Sequence, residues 1–134
     1  IETAIMMLRF SYAPYSHFHV GASLLCQIEN SSEKKIFTGC NIENAAYGPS
    51  NCAERTAIFK AVSEGVKEFE CIVIVGGRKD GQLEICPPCG ICRQVMSEFC
   101  DPEKFQIILA KSEKEYETYL LKELLPLSFG GELL

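Results

Sequence analysis

The chain has 134 residues, of which 47% are hydrophobic and 23% charged, values that are ordinary for a globular protein. This length predicts one domain spanning residues 1–134, with a single hydrophobic core. The net charge is −5, with 13 basic residues scattered among 18 acidic ones, which argues against a nucleic-acid partner and favours a small molecule. No apolar run approaches the roughly 20 residues of a membrane span, so no membrane association is predicted.

The first part of the chain predicts a helix followed by a hairpin. Apolar residues recur at helical spacing over residues 1–10, and Pro14 ends that helix. Apolar and polar residues then alternate from Phe18 to Gln27, which is typical of a strand. A polar turn separates this strand from a second one over residues 35–42, and the short connection predicts an antiparallel pair.

The central part of the chain predicts two helices on either side of a strand. A loop of small residues leads into a helix from Cys52 to about Glu64, with Gly65 at its end. The continuous apolar run from Cys71 to Val75 predicts a strand that is covered on both faces. Pro88 then precedes a helix from Cys89 to about Phe99.

The last third of the chain completes an α/β pattern. Residues 105–109 are predicted as a strand, and residues 116–120 as a fifth strand, although their pattern equally permits a helix. Residues 122–125 are predicted as a short helical turn, and the tail over residues 127–131 as irregular. The alternation of strands and helices predicts a three-layer α/β/α sandwich around a mixed five-stranded sheet.

Two short segments concentrate the residues that can bind a metal. Cys52 lies two residues before Glu54, and Cys89 and Cys92 have the spacing of a metal-binding pair. The cysteines lie at predicted helix starts, where free N–H groups and the helix dipole favour thiolate over thiol. Three protein ligands leave the fourth position of a tetrahedral zinc ion open, which is typical of a catalytic site. The sequence therefore predicts one catalytic Zn²⁺ per chain.

Five segments spread over nearly the whole chain carry recognisable motifs. They are residues 12–22 (YAPYSHFHVGA), 39–45 (GCNIENA), 52–57 (CAERTA), 88–94 (PCGICRQ) and 124–129 (LLPLSF). In this order they resemble the motifs of the small, homotetrameric cytidine deaminases that have an all-cysteine zinc site. The resemblance implies the cytidine deaminase-like fold and the hydrolytic deamination of cytidine and deoxycytidine in pyrimidine salvage.

The resemblance and the chemistry of the side chains together assign the catalytic roles. Cys52, Cys89 and Cys92 would bind zinc. Glu54 would take a proton from the attacking water and deliver protons to the pyrimidine N3 and the leaving ammonia. Arg55 would donate hydrogen bonds to the thiolate sulfurs and offset their negative charge.

The resemblance also implies which residues contact the nucleoside. Asn41 and Glu43 would hydrogen-bond the ribose hydroxyls, and their spacing of two residues places them on one face of the predicted strand. Phe18 would form a wall of the pocket, and the backbone of Ala53 would contact the base. A solvated strand end is the alternative interpretation of Asn41 and Glu43.

The resemblance further implies that two aromatic residues, Tyr47 and Phe129, complete active sites shared between subunits of a homotetramer. In relatives, the residue that matches Phe129 stacks on the base and the residue that matches Tyr47 reaches the ribose, both from neighbouring subunits. The alternative is that these aromatic residues belong to the core or to an interface without touching the substrate.

Several other interpretations of the metal motifs are open at this stage. Cys86 and Cys89 also form a C-x-x-C pair, and a fourth thiolate from Cys86 would make a closed, structural zinc site without activity. The cysteines are alternatively buried free thiols, and Glu54 an acid favoured by the helix dipole. A further alternative is a deaminase of another nucleoside or of a tRNA base, and the acidic charge argues against tRNA.

Two cysteines outside the metal motifs are interpreted as buried apolar residues, and two positions differ from the family pattern. Cys26 and Cys71 lie in apolar, strand-like runs where cysteine behaves as a small hydrophobe. A chain with this apolar content has little need of disulfides, so a cytoplasmic location is expected. Pro87 stands where the family usually has serine and Ile91 where alanine is common; neither is a ligand position, and both changes would shift the predicted pocket wall.

Overall fold

The chain folds around a six-stranded mixed sheet, seen in a computed structural model that describes residues 1–134. The strands are β1 (Phe18–Gln27), β2 (Lys34–Cys40), β3 (Glu68–Arg78), β4 (Leu83–Glu84), β5 (Gln106–Ala110) and β6 (Tyr116–Leu120). The α-helices are α1 (Glu2–Met6), α2 (Ala53–Ser63), α3 (Gly90–Phe99) and α4 (Leu121–Leu124). Two 3₁₀ turns, Met7–Phe10 and Gly131–Leu133, follow α1 and end the chain. None of the helices has the length and apolar character that crossing a membrane would require.

The strand order is β2-β1-β3-β5-β6, and β4 pairs with the end of β3. β1 runs antiparallel to both β2 and β3, so the predicted N-terminal hairpin is confirmed. β3 and β5 are parallel. Because parallel neighbours need a crossover connection, the segment containing α3 must pass over one face of the sheet. It packs α3 into the same core cluster as α2.

Helices cover both faces of the sheet, which confirms the predicted three-layer α/β/α sandwich. On β3, Ile72 and Ile74 join the core beneath α2 and α3, whereas Val73 and Val75 join the cluster beneath α1. Successive side chains of a strand point to opposite faces, so a strand that is covered on both sides is apolar at every position. The two helical layers therefore explain the continuous apolar run in the sequence.

The end of β2 differs from the prediction. The strand stops at Cys40, and Ile42 instead makes isolated bridges to Tyr12 and Asn51. Asn41 and Glu43 therefore lie just beyond the strand, in a segment that crosses between the N-terminal region and the start of α2. The expectation that they share one face of a regular strand is wrong, because the chain leaves the β1–β2 ladder at Cys40 to make these bridges.

The sheet also has six strands where five are predicted. Leu83 and Glu84 pair with Gly77 and Gly76 of β3, and two residues are too few to show alternation in a sequence. Residues 116–120 form a strand and not a helix, because they pair antiparallel with β5 along its whole length.

The packing of α2 against β2 depends on Gly39. A Cβ atom there would lie 2.3 Å from the carbonyl oxygen of Ala53 and 2.6 Å from the amide nitrogen of Ala57. Both are backbone atoms of α2, so the helix itself would have to move. We expect Gly39→Ala to lower the free energy of unfolding by about 1–3 kcal/mol, the usual cost of overpacking a core.

Urea denaturation measures this effect. Gly90→Ala is the matched control, because a Cβ atom at Gly90 meets no atom within 4 Å. Its free energy of unfolding should change little or rise slightly, since alanine is the better helix former. Equal stability of the two variants would show that α2 is free to shift away from β2.

Candidate active site

Three cysteine sulfurs meet where two helices begin. Cys52 is the N-cap of α2, Cys89 is the N-cap of α3, and Cys92 lies in the first turn of α3. Their Sγ atoms all lie within 4.8 Å of one another, and those of Cys52 and Cys89 are 3.8 Å apart. The backbone N–H of Cys92 donates to the Cys89 sulfur at 3.4 Å. Both N-cap backbones are extended, but only the Cys89 sulfur accepts a hydrogen bond from an N–H group of its own helix.

Arg55 joins two of these sulfurs. Its Nε donates to the Cys92 sulfur at 3.4 Å, and its Nη2 donates to the Cys52 sulfur at 3.2 Å. Hydrogen bonds from Cys92 and then from Arg55 lower the pKa of the Cys52 thiol to about 5, despite its partial burial. The guanidinium group thus supplies positive charge where several thiolates are to be held together.

Replacing Arg55 should weaken metal binding. In Arg55→Gln both N–H···S contacts of the guanidinium group are lost together with its charge. We expect the zinc affinity to fall roughly 10–100-fold, the usual effect of removing an outer partner of a metal ligand. Competition with a chromophoric chelator measures this affinity. Arg9→Gln is the control, because Arg9 stacks over the Phe10 ring and makes no contact with the cysteines. Similar affinities in both variants would contradict the proposed role of Arg55.

Glu54 is buried beside the cysteine cluster. The residue is only 3% exposed, and its Oε2 accepts a hydrogen bond from the Cys92 thiol at 3.8 Å. Burial raises the pKa of its carboxyl group to about 7. Sequence reasoning leaves open whether Glu54 can reach the metal ligands, because side-chain directions at a helix end are irregular. The structure brings the carboxyl group into contact with one of them.

The cluster lines a pocket of about 620 Å³. The pocket contains seven of the residues assigned from the sequence in addition to two of the cysteines. These are Phe18, Asn41, Glu43, Tyr47, Ala53, Glu54 and Arg55, alongside Cys52 and Cys89. Pro87 and Ile91 also line it, at the two positions where the chain departs from the family pattern. Its volume is within the usual range for a small-molecule site.

Phe129 is the one predicted substrate contact outside this pocket. Its side chain is 55% exposed, and its carbonyl accepts a hydrogen bond from Gln94 Nε2 at 3.2 Å. Tyr47 lines the pocket but is 74% exposed, and its ring packs edge-on against that of Tyr15. Both rings therefore leave large apolar surfaces open on a single chain.

Asn41 is held in place by three neighbours. Its Oδ1 accepts hydrogen bonds from the Ser11 hydroxyl and, at 2.9 Å, from the backbone N–H of Val20. Its Nδ2 donates to the carbonyl of Phe18 at 2.8 Å, which leaves one amide hydrogen for another partner.

Glu43 is held in a similar way. Oε1 accepts the backbone N–H groups of Tyr15 and Ser16, each at 3.0 Å, and Oε2 accepts the Ser16 hydroxyl. The hydrogen bond from Ser16 is the main reason why the pKa of Glu43 is lowered. Sequence reasoning missed Ser11 and Ser16, because partners about 30 residues apart leave no local signal.

Cys86 lines the pocket but is not part of the sulfur cluster. The cluster of potential ligands contains Cys52, Cys89 and Cys92 alone. Burial raises the pKa of the Cys86 thiol to about 11, which favours the neutral form over a metal-binding thiolate. The arrangement is therefore an open site with three ligands. The other cysteines are free thiols as well, at Cys26, Cys40, Cys71 and Cys100.

Comparisons with known proteins agree with this geometry. A family model for the zinc-binding region of cytidine and deoxycytidylate deaminases matches residues 1–108. The chain is 42% identical over 132 residues to a cytidine deaminase of Halalkalibacterium halodurans. The aligned region covers 98% of this chain and 92% of that protein. A crystal structure of cytidine deaminase from Burkholderia pseudomallei matches with a TM-score of 0.81 and 41% identity, over 96% of this chain and 95% of its own.

Proposed function

This chain belongs to the cytidine and deoxycytidylate deaminase family, and from this premise we propose that it deaminates cytidine and deoxycytidine. Nucleoside and water are converted to uridine or deoxyuridine and ammonia, a step of pyrimidine salvage. One observation carries this proposal: the buried Glu54 carboxyl group contacts one of three clustered cysteines, and the other two, Cys52 and Cys89, line an open pocket together with Glu54.

The donor set of the cluster fits zinc. Sulfur ligands select zinc over magnesium or calcium, and three of them leave one position free. A zinc ion held by Cys52, Cys89 and Cys92 supplies, when bound, a Lewis acid that lowers the pKa of a coordinated water. Arg55 orients two of the sulfurs and compensates part of the charge of the three thiolates.

Glu54 is the proposed proton carrier. The carboxylate takes a proton from the attacking water as oxygen bonds to C4 of the base, and the carboxyl group delivers that proton to N3. The second proton of the same water passes through Glu54 to the amino group as the C4–N bond breaks. Ammonia leaves, and the C4 carbonyl and the N3–H group of uridine remain. Because Glu54 is almost fully buried, it exchanges these protons with the substrate rather than with bulk water.

Four pocket residues are proposed to position the nucleoside. The free amide hydrogen of Asn41 and the one lone pair left on Oε2 of Glu43 suit the two hydroxyl groups of a ribose. Phe18 supplies an apolar wall, and Ala53, the buried first residue of α2, lines the pocket so that its backbone would contact the base. The neighbours that fix Asn41 and Glu43 pre-organise these contacts, which lowers the entropy lost on binding.

We also propose that the active sites are completed within a homotetramer in the cytoplasm. The exposed rings of Tyr47 and Phe129 support shared sites, because each offers apolar surface that a neighbouring chain would cover. Eight free cysteines, three of them needed as thiolates, support a reducing compartment. Sedimentation equilibrium tests the assembly, and a monomer that is fully active would refute shared sites.

The experiment that tests the function uses purified, zinc-loaded protein. We expect the ultraviolet absorbance of cytidine and of deoxycytidine to fall, with one ammonia released for each nucleoside converted. Adenosine serves as the control substrate and should remain unchanged. Protein that contains zinc and leaves both cytidine and deoxycytidine intact would refute the assignment.

A further inference from the structure

A second cavity, of about 410 Å³, lies at the junction of the 3₁₀ turn after α1, the start of β1 and the turn that follows β3. It shares no lining residue with the nucleoside pocket. Its ionisable lining residues are Arg9, His19, Arg78, Lys79 and Asp80. None of the proposed catalytic steps uses this cavity.

The charge of the cavity is opposite to that of the chain. Two guanidinium groups and one ammonium group face one carboxylate, which gives +2 with His19 neutral, whereas the whole chain carries −5. The three ion pairs of the chain lie elsewhere, so none of these charges is neutralised by a salt bridge. Basic groups concentrated around a concave surface of an acidic protein attract anions.

Both guanidinium groups are held by contacts that leave donors free. Arg9 stacks over the ring of Phe10, with 4.6 Å between its guanidinium carbon and the ring centroid. Arg78 Nη1 donates to the carbonyl of Ser16 at 3.3 Å. An arginine has five N–H donors, so several on each group can bind another molecule.

Gly77 lets the chain that follows the turn pack closely against β3 at the edge of the cavity. Gly77 lies directly opposite His19 in the β1–β3 ladder and contributes no side chain to the cavity. A Cβ atom at Gly77 would lie 2.8 Å from the carbonyl oxygen of Gln82, so this position has no room for one.

We propose that this cavity binds a phosphate-bearing small anion. Guanidinium groups match phosphate oxygens in pairs of hydrogen bonds, and a local charge of +2 suits a dianion better than a single carboxylate. The volume admits a phosphate group together with a small organic group. The site lies outside the nucleoside pocket, so the anion does not compete with the substrate for the same residues.

Isothermal titration of the zinc-loaded protein tests the proposal at constant ionic strength, with inorganic phosphate and adenosine monophosphate as separate probes. We expect both to bind, and the double variant Arg9→Gln, Arg78→Gln to weaken binding at least tenfold. The control is Lys34→Gln, Lys35→Gln, which removes the same charge from β2 and should bind as the wild type does. Tighter binding of adenosine monophosphate would show that the organic group is also recognised, and equal binding that phosphate alone is.

A variant that should bind the anion more tightly distinguishes loss of the anion site from loss of folding. Asp80 contributes the only carboxylate of the cavity and has φ = 63°, a conformation that asparagine tolerates. Asp80→Asn should therefore tighten phosphate binding several-fold. No binding by the wild type, or equal binding by all variants, would overturn the proposal. The titration needs no turnover, so its failure is separate from a failure of the deaminase assignment.

Discussion

The variant Glu54→Gln should retain one zinc ion per chain and lose roughly 10²- to 10⁴-fold in kcat for cytidine, the range that general acid–base catalysis contributes. Glutamine keeps the size of the side chain and its place in the buried site but cannot carry a proton. Because Glu54 is not among the three predicted metal ligands, its replacement leaves the donor set for zinc intact. Steady-state kinetics and metal analysis of the same preparation measure both quantities.

Glu64→Gln is the matched control for this experiment. Glu64 is the C-cap of the same helix, and its only ion pair is an exposed one with Lys35 at 3.5 Å, a type of contact that contributes little to stability. Its kcat should match that of the wild type. If Glu54→Gln kept full activity, Glu54 would not carry the protons. If it lost its zinc as well, the fall in kcat would not isolate proton transfer from metal binding.

Cys89→Ser should remove zinc, whereas Cys86→Ser should not. Cys89 provides one of three convergent sulfurs, and a serine hydroxyl is a poor substitute for a thiolate. Its loss should reduce the zinc affinity by more than the roughly 10–100-fold that follows from losing an outer partner. Cys89 is exposed, so the substitution leaves the core intact. Metal analysis after dialysis against a mild chelator measures zinc per chain in each variant.

The contrast between these two cysteines separates an open site from a closed one. Cys86 lies in the same pocket but outside the sulfur cluster, and burial raises the pKa of its thiol. If Cys86→Ser lost zinc as readily as Cys89→Ser, a fourth thiolate would close the metal site, and a structural role for zinc would replace the catalytic one.

The elements that carry the candidate ligands are predictable from the sequence because their signals are local. β1 has the predicted bounds, since alternation over ten residues is a strong strand signal. α2 and α3 begin one residue after Cys52 and Cys89, the residues that the prediction places at their starts. The spacing of Cys89 and Cys92 likewise belongs to a single helical turn.

The presence of β4 and the end of β2 depend on strand pairings that residue patterns along the chain do not show. β4 exists only because a turn returns Leu83 and Glu84 to the end of β3. β2 ends early because Ile42 pairs with Tyr12 and Asn51 instead of continuing the hairpin. The Tyr12–Ile42 bridge joins residues 30 positions apart, and β4 is too short to give a residue pattern of its own.

By itself the sequence determined which atoms are available for catalysis: three thiols, one carboxyl group and one guanidinium group at the starts of two helices. Only the tertiary structure decided that they meet. Cys52 and Cys89 are 37 residues apart, and their sulfurs converge because α2 and α3 pack on the same face of the sheet. Long-range contacts also decide two further features. Ser11 orients Asn41 from 30 residues away, and Phe129 lies outside the nucleoside pocket of the same chain. Local sequence specifies neighbours within a few residues, and packing of the whole chain specifies the rest.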